Sequence, residues 1–196
     1  MELSKKIQKA NCYKFFAECF YYPEENQLIS IKSYAKNVPE NLSEIINYLG
    51  SIKDLQIDFS KLFIGPFKVF APPYGSVYLE ESKTICGNST IDVMKIYQKE
   101  KLNIDLKEPA DHIAIELEFM FYLITVEVDA INNSDFLKAD SYRSKQDSFL
   151  KRHLSQWVTE FTDSIKKHTK SDFYKKIAIS LNLMLIEEQF LINSKI

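Results

Sequence analysis

One run constrains the fold of this 196-residue chain more than any other. From Phe119 to Val126 the residues are Phe-Met-Phe-Tyr-Leu-Ile-Thr-Val, apolar at nearly every position. A helix that is apolar all round has to be wrapped by other elements. The residues just before it are of another kind. Glu108-Pro109-Ala110-Asp111-His112-Ile113-Ala114-Ile115-Glu116-Leu117-Glu118 carries a cluster of ionisable groups into the same element. Pro109 suits a first helical position, because its missing N–H would have no partner there. Asp111 would then meet the exposed amides and positive dipole of the first turn. The expected helix runs from Pro109 to about Ile131. Its charged groups either open at one edge of the core as a site or are satisfied within the structure.

What surrounds this element reads as helix as well. Leu3 to Tyr21 has Ile7, Ala10, Phe15, Phe16, Cys19 and Phe20 at helical spacing and stops before Pro23. Glu25 to Lys36 follows. Asn41 with Glu44 three residues on is an N-terminal capping signature for a short helix through Leu49. Asp54 to Ile64, Ser89 to Glu100, and a polar helix from Asp135 with Ser134 as its cap complete the middle. Trp157, Phe161 and Ile165 form an i, i+4 ladder, and Ser171-Asp172 caps a last apolar helix. Period-2 alternation is essentially missing, and only four glycines and six prolines occur. The expected fold is all-α, a single-domain bundle of about eight or nine helices over residues 1–196.

The helical rhythm breaks between Pro66 and Ser82. Pro66, Pro72 and Pro73 forbid a continuous helix there, yet Phe67, Val69, Phe70, Tyr74, Val77, Tyr78 and Leu79 make the segment strongly apolar. Such a loop either plugs the core with its aromatics or presents an aromatic binding surface.

Several function classes lose support. A net charge of −2 offers no general attraction for nucleic acid or anionic lipid. No run of roughly 18 apolar residues exists to span a bilayer, and no secretion signal opens the chain. Cys12, Cys19 and Cys86 form no CxxC, so free thiols in a reducing compartment are expected, Cys12 and Cys19 sharing one helix face. Isolated glycines exclude a Walker loop and GxGxxG, and GxSxG is missing. His112 and Glu116 have an i, i+4 spacing that a metal could use. A helical metal-dependent hydrolase using those two is therefore the alternative reading, but no HExxH occurs and only His153 and His168 remain as further histidines. A plain helical interaction module is the third reading. No catalytic residue, resident metal or cofactor is assigned.

Four ordered blocks carry a resemblance. Phe59-Ser60-Lys61-Leu62-Phe63-Ile64-Gly65-Pro66 and Pro72-Pro73-Tyr74-Gly75-Ser76-Val77-Tyr78-Leu79 are the first two. Glu108 to His112 with Glu116 to Met120, and Phe149-Leu150-Lys151-Arg152-His153-Leu154 with Trp157 and Phe161, are the others. Together they resemble the TorD/DmsD family. The resemblance implies an all-helical cytoplasmic chaperone of molybdopterin-dependent oxidoreductases. It would bind the partner's twin-arginine signal peptide, or the apoenzyme itself, and delay export until cofactor insertion. It is also compatible with a homodimer, since related chaperones exchange helices. The family's binding regions map onto Tyr74 to Leu79 and onto Asp111, His112, Glu116 and Glu118. Where the family often has Trp followed by a polar or acidic residue, this chain has Tyr74-Gly75. A twin-arginine peptide sets two guanidinium groups beside an apolar segment, so its receptor should pair carboxylates with a hydrophobic groove. Asp111, Glu116 and Glu118 are candidates for the first, with Asp111 the expected arginine contact and His112 its neighbour. Phe70, Tyr74, Gly75, Ser76, Val77, Tyr78 and Leu79 are candidates for the second.

Overall fold

The computed structural model describes residues 2–65, 68–102 and 108–194. Among them the order is α1 (Glu2–Cys19), α2 (Glu25–Ala35), α3 (Glu40–Ser43), α4 (Ile52–Phe59), α5 (Gly75–Leu79), α6 (Asn88–Lys99), α7 (Ile113–Asn132), α8 (Phe136–Phe149), α9 (Ser155–His168) and α10 (Asp172–Asn193). A 3-10 turn follows α3 at Glu44–Tyr48, and π-turns follow α4 at Ser60–Ile64 and α8 at Leu150–Leu154. No strand occurs among the described residues, and the all-α expectation holds. Phe67 in the Pro-rich segment, and Lys107 at the approach to Glu108, lie outside them.

The apolar run takes the central place that its composition requires. Twelve of the twenty residues of α7 are buried, and the helix packs between α1 and α8. Phe15, Phe16, Leu117, Met120, Leu123, Trp157, Phe161 and Ile177 are all at or near zero exposure, so α1, α7, α9 and α10 share one core. Rings meet edge to face across it, as Phe20 on Phe63 at 5.9 Å, the arrangement that aromatic quadrupoles favour. Cys12 and Cys19 are buried free thiols on the inner face of α1.

Three helix starts differ from expectation. The central helix begins at Ile113, not at Pro109: the chain turns at Ala110 and Asp111, and His112, in extended backbone, forms a lone antiparallel bridge with Tyr74. The N–H of Gly75 donates to the Asp111 carbonyl and that of Ile113 to the Pro73 carbonyl, each at 2.9 Å. These cross-chain bonds outweigh the local preference of Pro109. Asn41 is not a cap, because Pro39 precedes the first turn of α3 and no side-chain cap forms. Ser134 is not one either: it takes a positive φ of 60° to turn the chain, and Asp135 caps α8 by accepting from the Lys138 amide. Ser171 does cap α10, accepting from the Tyr174 amide.

Candidate functional site

The Pro-rich segment does not wander. It folds a five-residue helix, α5, onto the entrance of α7, and the sequence alone predicts no helix there. The bridge just described fixes its first residues, and the Asp111 carboxylate then accepts from the Ser76 amide at 2.7 Å. Tyr74 cannot cap α5 with its own ring, so a carboxylate 35 residues away satisfies one of the orphan amides of the first turn. Beneath α5 lies the Trp157 indole on α9. A Cβ on Gly75 would stand 3.1 Å from its Nε1, so any larger residue would have to push the indole aside. Tyr78 stacks on the same indole at 5.5 Å.

The three carboxylates proposed as arginine contacts have different situations. Asp111 is 1% exposed and points inward to α5; one of its oxygens has no partner. Glu116 is equally buried and takes a hydrogen bond from Trp157 Nε1 at 3.3 Å. Desolvation, then the Asp111 charge, push its pKa well above the ordinary carboxyl value. Burial and the neighbouring carboxylate thus both favour the neutral form of Glu116. Glu118 alone reaches the surface, where it accepts from Lys14 Nζ at 2.5 Å and the Tyr21 hydroxyl at 3.0 Å. Asp111 and Glu118, seven residues apart, share no helical face, because Asp111 precedes the helix.

His112 is the N-cap of α7: its Nδ1 accepts from the Ala114 amide at 3.2 Å. Burial pushes its pKa down to about 4, so the ring is neutral. Tyr21 stacks near it at 6.4 Å and Tyr74 meets it edge-on at 5.3 Å. The Tyr74 hydroxyl donates to Glu108 at 2.8 Å, and Glu108 is exposed. A surface edge therefore runs Glu108, Tyr74, Tyr21, Glu118 over the buried His112 ring, with α5 beside it offering half-buried Val77 and Tyr78 and exposed Leu79. Ser76 lies buried beneath these and is not presented.

Phe70 does not join them. Its ring packs on His168 at 4.6 Å, and His168 is eleven residues along α9 from Trp157, about 16 Å at 1.5 Å per residue. Two contributors fall outside the sequence-predicted set, Glu108 and Tyr21. Tyr74 held a clue to the first, since a phenol that is half-buried needs an acceptor; nothing local to the end of α1 marked the second.

The hydrolase alternative lacks its donors. His112 spends Nδ1 on its own helix and Glu116 is bonded to Trp157. Among the described residues no three His, Cys, Asp or Glu side chains converge to hold a metal. Nor is any described helix long and apolar enough to cross a membrane.

Comparison with known proteins adds the following. The nitrate reductase delta subunit family matches residues 32–163. The chaperone protein TorD of Photobacterium profundum is 31% identical over 156 residues, 76% of this chain and 69% of that protein. A Haemophilus influenzae protein assigned as the Tat proofreading chaperone DmsD is 30% identical over 132 residues, 66% of this chain and 58% of that one. A crystal structure assigned as a redox enzyme maturation protein of Archaeoglobus fulgidus superposes with a TM-score of 0.65. It is 28% identical and the match covers 90% of this chain and 93% of the other.

Proposed function

Because this chain belongs to the family of nitrate reductase delta subunits and TorD/DmsD chaperones, we propose that it is a non-enzymatic cytoplasmic chaperone. Its client is a molybdopterin-dependent oxidoreductase. The chaperone binds the client's twin-arginine signal peptide or its apo form, as a monomer or homodimer, and holds it until the cofactor is inserted. The contact surface is the edge from Glu108 to Glu118 with the outer side of α5.

One observation carries the reading: an exposed carboxylate, Glu108, is tied to an aromatic side chain, Tyr74, and stands beside an apolar helix face ending at Leu79. A guanidinium can pair with Glu108 while the apolar part of the peptide lies over Val77, Tyr78 and Leu79. Glu118 is a second acceptor once Lys14 releases it. Asp111, His112 and Glu116 act from below, as the groups that fix α5 and the start of α7. This division of labour replaces the idea of Asp111 as the arginine contact, since a carboxylate 1% exposed and bonded to Ser76 is out of reach of a peptide.

Titration calorimetry with the client's signal peptide tests it. Glu108→Gln removes one charge-assisted bond and is expected to weaken binding about ten-fold. Tyr74→Ala removes the aromatic support as well and should weaken it more. Replacing the two arginines of the peptide by lysine should lose the bidentate geometry and cost a similar factor. Undiminished binding in both protein variants would move the client contact elsewhere on the molecule.

A further inference from the structure

A groove of about 510 Å³ lies between α6, α7 and α8, on a part of the surface that the client reading does not use. Its floor is apolar: Phe119 from α7, Phe149 from α8 and Ile96 from α6. The rim is basic. Lys99, Lys145 and Arg152 line it against a single acid, Glu100, which is paired with Lys145 at 2.7 Å. Among the described residues Lys99 and Arg152 take part in no ion pair. Asp92 on α6 is the other charge felt at this end, opposing Arg152. Two cations without an ion-pair partner therefore stand over an apolar floor and leave the rim basic.

The end of the groove carries the second observation. His153 is 5% exposed and stacks on Phe149 at 5.0 Å. Its Nε2 is buried without a hydrogen-bond partner. A buried polar atom left unsatisfied is costly, and natural proteins keep such groups mainly where something else supplies the partner. His153 and Arg152 sit together on the π-turn Leu150–Leu154 between α8 and α9. π-turns are rare and cluster at functional sites. Here the extra residue brings a cation and an imidazole to the same mouth.

We infer that this groove is a binding site for a small organic anion with a flat apolar body, such as an aromatic carboxylate, sulfonate or phosphate ester. The body lies on Phe119 and Phe149, the anion meets Arg152 and Lys99, and His153 Nε2 supplies a hydrogen bond inside. The volume suits a small molecule, and the charge sign selects an anion.

The probe is 1-anilinonaphthalene-8-sulfonate, followed by fluorescence on the full chain, with 2-naphthoate and inorganic phosphate as competitors. One saturable site is expected. Arg152→Gln should weaken it about ten-fold through the lost charged contact, and Ser144→Trp, an exposed groove position on α8, should abolish it by filling the space. Tyr74→Ala should leave it unchanged. 2-Naphthoate should displace the probe where equimolar phosphate does not, which separates an amphiphilic ligand from charge alone. Circular dichroism and melting temperature of the variants confirm that each is folded. The inference is overturned if the wild type shows no saturable binding, or if folded Ser144→Trp binds as well as wild type. Displacement by the signal peptide, or loss of binding in Tyr74→Ala, would overturn it as well, by assigning the probe to the client surface.

Discussion

His112 and Glu116 are one helical turn apart and both buried, and burial favours the neutral form of each, yet acidity acts on them with opposite sign. Burial lowers the His112 pKa from 6.5 to about 4. Below pH 6.5 the unfolded chain gains a proton that the folded ring refuses, so stability falls as pH drops from 6.5 toward 4. The full effect is on the order of 3 kcal/mol. Glu116 is raised above its ordinary 4.5. The unfolded carboxyl ionises above pH 4.5 while the folded one keeps its proton, so its contribution is complete below 4.5 and is lost as pH rises. His112→Asn keeps an N-cap oxygen for Ala114 but does not titrate; urea unfolding from pH 4 to 7 should show a flatter acid limb than the wild type. Glu116→Gln keeps an acceptor for Trp157, and its stability relative to wild type should grow as pH rises from 4.5. An acid limb unchanged in His112→Asn would mean that the ring is protonated in the fold.

α5 shows most clearly what a sequence conceals. The long helices could be read directly, because Phe15, Leu117, Phe161 and Ile177 announce themselves by spacing alone. The site could be read only in part. Tyr74 to Leu79 and Asp111 to Glu116 do meet, but Asp111 lies outside the helix, since its carbonyl accepts from Gly75 and the Pro73 carbonyl takes the N–H of Ile113. A bond that spans 35 residues, Asp111 to Ser76, leaves no local trace. Caps slip for local reasons: Asn41 lies inside α3 behind Pro39, and Ser134 turns the chain at positive φ while Asp135 accepts from Lys138. Two substitutions test how α5 is held. Asp111→Ala leaves a buried amide without its acceptor and should cost about 1–3 kcal/mol, with faster hydrogen exchange at Ser76. Asp111→Asn retains an oxygen and should cost less. Gly75→Ala pushes a methyl group into the Trp157 indole and should cost about 1–3 kcal/mol by overpacking, with a shift in the fluorescence of the chain's one tryptophan. Normal exchange and fluorescence in these variants would mean that α5 is anchored by other contacts.

At the scale of the whole molecule, the bundle is closed by polar staples across its apolar core. Glu188 on α10 accepts from Tyr13 and pairs with Lys9, joining the last helix to the first. Glu127, buried near the end of α7, accepts from Lys6 at 2.7 Å, Arg143 at 3.0 Å and Gln146 at 2.8 Å, so one carboxylate joins α1, α7 and α8. Burial alone would raise its pKa, but the three donors outweigh desolvation and hold it below 4.5. A buried ion pair is often a weak stabiliser, because desolvation offsets the attraction. Here both cations remain partly exposed, 19% for Lys6 and 41% for Arg143, and only the carboxylate has been taken from water. The depressed pKa means that its contribution is present above pH 4.5 and is lost as pH falls through the folded value. Glu127→Gln keeps the shape and one acceptor but removes the charge. It should lose about 1–3 kcal/mol at pH 7, and the difference from wild type should shrink as pH falls below 4.5. Because the carboxylate is shielded, 0.5 M salt should change that difference little. A difference that vanished in salt would mean that Glu127 is solvated, and that the three helices are held together by their apolar faces alone.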